Sequence, residues 1–128
     1  MPHRFRHHYT REEARALLPQ VRRWLEELLQ DRHEAEKLDR RLEAPLAAGQ
    51  DMGGTMVNRS VSLLAKMRGV FLEFHRRDIQ IKDLERGLLD FPALINGREV
   101  FLCWEKDEDD IEYWHDIDAG FAGREPLD

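Results

Sequence analysis

The sequence predicts an α+β fold: an antiparallel hairpin of two long helices, followed by a three-stranded antiparallel β-meander packed on its apolar side. Three observations carry this expectation. Apolar residues recur at steps of three and four through two long stretches, which is the period of a helix with one buried face. After Ile79 the period changes to two, the signature of strands. Asn96-Gly97 then interrupts two apolar runs, and that dipeptide suits a two-residue hairpin turn whose central positions both need positive φ.

The elements follow in chain order. Residues 1–9, with His3, His7 and His8 beside Arg4 and Arg6, read as a flexible, solvated tail, with a metal-binding tract as the alternative. Thr10-Arg11-Glu12-Glu13 has the form of a capping box, so a helix starts there. Ala14, Leu17, Leu18, Val21, Leu25, Leu28 and Leu29 form its apolar stripe, and Leu38 and Leu42 extend it to about Glu43. Pro19 removes one backbone donor and predicts a kink near Arg15 and Ala16. The stripe thins beyond Leu29, so that end is expected to project as a solvated arm. Pro45, Gly49, Gly53 and Gly54 break the period and predict the turn. A second helix is expected from about Thr55 to Arg77, with Val57, Val61, Leu64, Met67 or Arg68, Phe71 and Phe74 as its stripe and Leu63 and Val70 broadening it.

The meander is expected over residues 88–117, with strands Leu88–Ile95, Arg98–Glu105 and Ile111–Ile117. Pro92 cannot donate to a ladder and predicts an edge strand. Residues 118–128 read as a tail. One domain, 10–128, therefore combines a helical hairpin (10–78), the meander and the tail.

Totals narrow the function classes. The 128 residues carry 36% charged side chains and a net charge of −6, which disfavours nucleic acid and anionic membranes as partners. The charge is uneven: residues 55–86 hold seven basic and four acidic side chains, and residues 87–128 hold three and twelve. One cysteine, Cys103, excludes an internal disulfide and a zinc site built from several thiolates of one chain. No 18-residue apolar run occurs, and the basic start is not followed by an apolar region, so a cytoplasmic protein without a spanning helix or secretory signal is expected.

If Ile95 pairs with Arg98, Asp90 lies opposite Cys103 and Phe91 opposite Leu102. If Glu105 pairs with Ile111, Cys103 lies opposite Tyr113 and Phe101 opposite His115. Leu89, Phe91, Ala93, Val100, Leu102, Trp104 and Trp114 then share an apolar face that lies on the helices. The other face carries Leu88, Asp90, Pro92, Phe101, Cys103, Glu105, Ile111, Tyr113 and His115. Three readings of that second face compete. Cys103 is a nucleophile activated by His115, with Asp90 or Glu105 orienting it. Alternatively, His115 joins Asp116, Asp118, Asp90 or Glu105 around manganese, iron or zinc. In the preferred reading Cys103 is a small buried hydrophobe, His115 is satisfied by a neighbour, and the face is covered by the tail or by a second subunit. The acidic run Asp107–Glu112 lacks the alternation and glycine of a calcium loop and reads as a solvated turn. Lys82, Arg86, Arg76 and Arg77 form a small basic group that reads as a solvated helix end, with an anion site as the alternative.

"YTREEARALLPQVR", "KDLERGLLDFPALINGREVFLCW" and "IEYWHDIDAGFAGREPL" together resemble a prokaryotic family known as domain of unknown function 2203. The resemblance spans Tyr9 to Leu127 and brings no established activity with it. Its matching positions include Asp90, Cys103, His115, Asp118 and Arg124. Arg124 can bind a carboxylate through its fork, either tying the tail to Asp90, Asp116 or Asp118 or holding a ligand anion. The leading expectation is a non-catalytic interaction or scaffold module that self-associates as a homodimer, with an unknown protein partner. The alternative is a metal- or anion-dependent enzyme using His115, Asp118, Asp90 and Arg124, with Cys103 as a further catalytic candidate. No cofactor is predicted, although His115, Asp116 and Asp118 offer ligands for a divalent metal.

Overall fold

Thr10 starts the first helix as expected. Its hydroxyl accepts from the Glu13 amide at 3.1 Å and the Glu13 carboxylate accepts from the Thr10 amide at 3.0 Å. Each end of the box satisfies an amide that the helix leaves without a partner. Thr10→Ala is expected to lower stability by about 1 kcal/mol, read as a shift in urea midpoint with an unchanged slope. The computed structural model describes the backbone of residues 3–47 and 53–127, and the side chains of 3–41 and 54–127. Helix α1 runs Arg11–Ala47, unbroken across Pro19, and α2 runs Gly53–Arg76. The middle of the expected turn, residues 48–52, lies outside the described residues.

Helix α2 ends in a Schellman motif. The Ile79 amide donates to Phe74 and the Asp78 amide to His75, both at 3.1 Å. Asp78 takes the left-handed φ of 60° that glycine usually fills. Phe74 and Ile79 both enter the main core, which supplies the apolar contact such a cap needs. Asp78 also has a second job that a glycine could not do. Its Oδ2 accepts the amides of Arg6 and His7, each at 3.0 Å.

The sheet is antiparallel with five strands in the order β1-β2-β3-β4-β5. These are β1 Gln80–Asp83, β2 Leu88–Ile95, β3 Arg98–Glu105, β4 Tyr113–Asp116 and β5 Glu125–Pro126. The three-strand expectation is corrected at both edges. β1 and β5 are only four and two residues long; the short alternation at Ile79-Gln80-Ile81 marks β1, and nothing periodic marks β5. The central hairpin has the expected bounds and register, with Ile95 opposite Arg98 and Asp90 opposite Cys103. The turn needs positive φ twice, and Asn96 (52°) and Gly97 (77°) provide it. The third strand is shorter than expected, but Phe101 does face His115 and Cys103 faces Tyr113.

Pro92 does not lie on an edge strand, because β2 has β1 on its outer side. β1 stops opposite Asp90, however, so no β1 carbonyl reaches the proline nitrogen. The same open edge receives the start of the chain, where the Tyr9 amide donates to the Pro92 carbonyl at 2.7 Å. Residues 4–9, expected as a loose tail, are therefore pinned. Glu99 accepts the amides of Arg4 and Phe5 at 2.9 and 3.1 Å, and the buried Tyr9 hydroxyl donates to the Arg77 carbonyl at 2.7 Å. Burial pushes that phenol up to about 12.

The main core lies between the helices and one sheet face. Ala14, Leu18, Val21, Leu25 and Leu28 of α1 and Val70 and Phe74 of α2 meet Leu89, Phe91, Ala93, Val100, Leu102 and Trp104. Trp114 is only partly buried against this core, and Ile111, expected on the opposite face, belongs to it. One helix face was misassigned. Helix α2 buries Leu63, Val70 and Phe74 and leaves Val57, Val61, Leu64, Phe71 and Leu72 exposed. Both rows have helical spacing, and only the position of α1 decides between them.

Candidate functional site

The second sheet face is polar at its centre and closed by the chain itself. Phe5 packs on Phe101 with ring centroids 5.4 Å apart, and Lys82 of β1 places its Nζ 5.3 Å above the same ring. After β4 the chain turns back through the short 3-10 segment Phe121–Gly123. A cleft of about 290 Å³ remains between this return and the strands, lined by Lys82, Asp90, Cys103, His115, Asp118 and Phe121 among others.

Strand alternation puts three titratable side chains in the lining of the cleft. Asp90 on β2, Cys103 on β3 and His115 on β4 come from three adjacent strands and share a face. Their relative exposures are 2%, 1% and 1%, and their ligand-type atoms all lie within 4.8 Å of one another. The His115 Nε2 is 3.0 Å from Asp90 Oδ1, and its Nδ1 is 2.7 Å from the Asp116 carbonyl oxygen. A carbonyl only accepts, so Nδ1 carries a hydrogen and donates it. Nε2 and Asp90 Oδ1 then share one proton between them.

Burial pushes the Asp90 carboxyl up, and His115 opposes that shift. Cys103 is pushed up to about 12, first by burial and then by the Asp90 charge, with Arg124 opposing. Such a thiol is not a thiolate at neutral pH, and nucleophilic catalysis needs the thiolate. Neither imidazole nitrogen is directed to the sulfur, since one faces Asp90 and the other a backbone carbonyl.

The remaining expected residues lie elsewhere. Asp116 alternates to the opposite face, where its exposed carboxylate pairs with Arg98 at 3.0 Å. Asp118 stands on the rim of the cleft, exposed, with Arg4 at 3.6 Å. Arg124 lies over the rings of Tyr113 and Phe121, 3.9 and 4.3 Å from their centroids. Its fork is engaged by Glu108 at 2.8 and 3.2 Å, and Nη1 comes within 4.0 Å of the Cys103 sulfur. Arg124 therefore ties the tail to the β3–β4 turn, through an acid that the sequence reading did not pair with it.

That turn is less solvated than expected. Asp110 receives Arg15 at 2.7 and 2.8 Å, and Arg22 donates to the carbonyls of Lys106 and Glu108 at 2.6 and 2.8 Å. The basic group is dispersed: Arg76 and Arg77 pair with Glu73, and Arg86 pairs with Glu105. A second potential ligand group, His3, His8 and Glu99, lies at the surface, with His8 Nε2 2.8 Å from Glu99. Sequence reasoning missed Lys82 and Phe121 as walls of the cleft. The alternation around Ile79-Gln80-Ile81 pointed to a strand that could carry Lys82, whereas nothing periodic marks the return of Phe121.

Comparison with known proteins adds one finding. The family model described as "Uncharacterized conserved protein (DUF2203)" matches residues 7–127. No curated protein and no solved structure matches the chain.

Proposed function

We propose that this chain, which belongs to the DUF2203 family of uncharacterized conserved proteins, is a cytoplasmic interaction module that self-associates through the outer face of α2. The observation that carries this reading is the exposed row Val57, Val61, Leu64, Phe71 and Leu72, each 39 to 61% exposed. Val57, Val61, Leu64, Arg68 and Phe71 follow steps of four, three, four and three, the seam spacing of packed helices. The outer part of the hairpin also lacks depth. The main core ends at Leu28 on α1 and begins at Val70 on α2, and beyond it Leu38 and Leu63 are the buried apolar residues described. Two such hairpins placed together make a four-helix bundle and cover the row.

The occupant is a second copy of the chain. Val57 and Phe71 each lie seven positions from Leu64, so an antiparallel pairing centred on Leu64 sets Val57 of each copy against Phe71 of the other, as a two-fold contact requires. Neighbouring charges do not prevent it. Arg59 is neutralised by Glu34 at 2.9 Å and Lys66 faces Asp31 at 3.5 Å within the hairpin. Arg68 can lay its stem along the seam and keep its guanidinium in water. The exposed row on one copy amounts to roughly 400 Å², within the range of a monomer's largest apolar patch, which is often an interaction site. Pairing two rows with their flanking stems reaches roughly 1,000 Å², the lower range of a specific contact.

No described helix is long and apolar enough to cross a membrane. A free, buried Cys103 suits a reducing compartment. Sedimentation equilibrium at tens of micromolar is expected to give a dimer for the natural chain and a monomer for Leu64→Glu, with the helical circular dichroism unchanged. A natural chain that sediments as a monomer, or a Leu64→Glu dimer as tight as the natural one, overturns the reading.

A further inference from the structure

We propose that Asp90, Cys103 and His115 form a zinc site, with a carboxylate oxygen, the sulfur and Nε2 as three protein ligands and the fourth position open to the cleft. The inference is independent of self-association, because the ligands lie on the sheet face away from the helices. Zinc accepts one imidazole, one thiolate and one carboxylate, and three protein ligands with an open position are the form of a reactive rather than a purely structural site.

Three features of the geometry point to a cation. The first is the orientation of His115. Its Nδ1–H is held by the Asp116 carbonyl at 2.7 Å, the outer contact that presents the other nitrogen to a metal. That nitrogen is already 3.0 Å from an Asp90 oxygen, close to the edge of a tetrahedron around zinc, and one ligand-type atom from each of the three residues lies within 4.8 Å of the other two. A side-chain adjustment of about 1 Å brings the set to tetrahedral spacing.

The second feature is charge. A carboxylate and a thiolate beside a neutral imidazole sum to −2, which a divalent ion cancels, leaving a neutral buried centre. The ion takes the place of the proton shared by Asp90 and His115, and a coordinated thiol gives up its own proton to solvent. Two cations lie near the set, Lys82 in the cleft wall and Arg124 beside Cys103. Arg124 already has Glu108 at 2.8 Å, and Lys82 sits over Phe101. Neither makes an ion pair with Asp90 among the described residues.

The third feature is access. The cleft of about 290 Å³ reaches all three side chains, so a metal can enter, and a water or an anionic substrate atom can occupy its fourth position. Lys82 on the cleft wall is the cation placed to meet an anionic group there.

Cobalt(II) is the test, added to untagged protein previously stripped with a chelator. The natural chain is expected to bind one cobalt with a near-ultraviolet thiolate-to-cobalt charge-transfer band and the intense visible bands of a tetrahedral ion. Zinc is expected to abolish both. Cys103→Ser is expected to lose the charge-transfer band, and Asp90→Asn and His115→Gln to weaken binding at least tenfold. The double variant His3→Ala, His8→Ala, which removes the surface group, is expected to bind as the natural chain does. Folded natural protein with no charge-transfer band overturns the proposal, and so does binding that survives Cys103→Ser unchanged or disappears in the His3, His8 variant. Should Cys103→Ser fail to fold by circular dichroism, the band in the natural chain remains the deciding readout, because Cys103 is its one thiol.

Discussion

Trp104→Ala is expected to cost about 4 kcal/mol, the largest single loss from the core and a substantial part of a small domain's stability. Trp104 is fully buried in the cluster that joins β3 to α1 and α2. Its truncation removes more apolar volume than any other substitution by alanine there, and sheet and helices cannot both move to fill the space. The indole also holds the end of the strand. Its Nε1–H donates to the Glu108 carbonyl at 3.0 Å, which Arg22 also reaches at 2.8 Å. Arg22 stands 4.9 Å from the ring centroid. Because Arg22 remains on that carbonyl in the variant, the loss is mainly cavity rather than an unsatisfied acceptor. Trp104→Phe keeps most of the volume and is expected to lose less than half as much. Urea unfolding followed by far-ultraviolet circular dichroism measures both. A Trp104→Ala loss under about 1 kcal/mol is out of keeping with a sealed core position and counts against the packing described.

The parts of this molecule that were legible in its sequence are those decided by neighbours in the chain. Thr10 and Glu13 cap a helix by reaching three residues. Asn96-Gly97 sets the register of β2 and β3, and alternation then delivers Asp90 opposite Cys103 without any knowledge of the rest. His115 followed from the same counting across a second turn. What was not legible depended on contacts between distant segments. Helix α2 has two apolar rows of the same period, Val57-Val61-Leu64-Phe71 and Leu63-Val70-Phe74, and the row that faces α1 is a tertiary outcome. β1 has only the short alternation at Ile79-Gln80-Ile81 and β5 has no pattern of its own, so both depend on pairing with β2 and β4. The tail was one of the two covers expected for the second sheet face, but its contacts were not legible: Arg124 finds Glu108 sixteen residues away and lies over Tyr113 and Phe121. Of the two covers expected for that sheet face, the tail or a second subunit, the chain's own segments supply the cover, and the exposed apolar row lies on α2.

His115→Ala is expected to cost about 3 kcal/mol in metal-free protein, since it strips the partner from a buried acid rather than simply opening a hole. Asp90 is 2% exposed, and among the described residues its carboxyl meets His115 Nε2 at 3.0 Å. The variant also removes a ring whose centroid lies 5.6 Å from that of Phe101, so a packing loss adds to the electrostatic one. Asp90→Asn is milder, about 1 kcal/mol, because the amide can still donate to the imidazole. The informative variant replaces both groups. Asp90→Leu with His115→Phe leaves no charge to strand, and buried pairs exchanged for apolar groups of similar size are commonly neutral or stabilising. If the double variant matches the natural chain while either truncation is costly, the pair contributes little net stability, and its place at the bottom of an open cleft reflects what it can bind. Zinc sharpens the comparison. Added to the natural chain it is expected to raise the urea midpoint, since a ligand that binds the folded state alone stabilises it, and it is expected to leave the midpoint of the double variant where it was. A midpoint that zinc raises equally in both proteins assigns the metal to another group, the surface histidines being the first to examine.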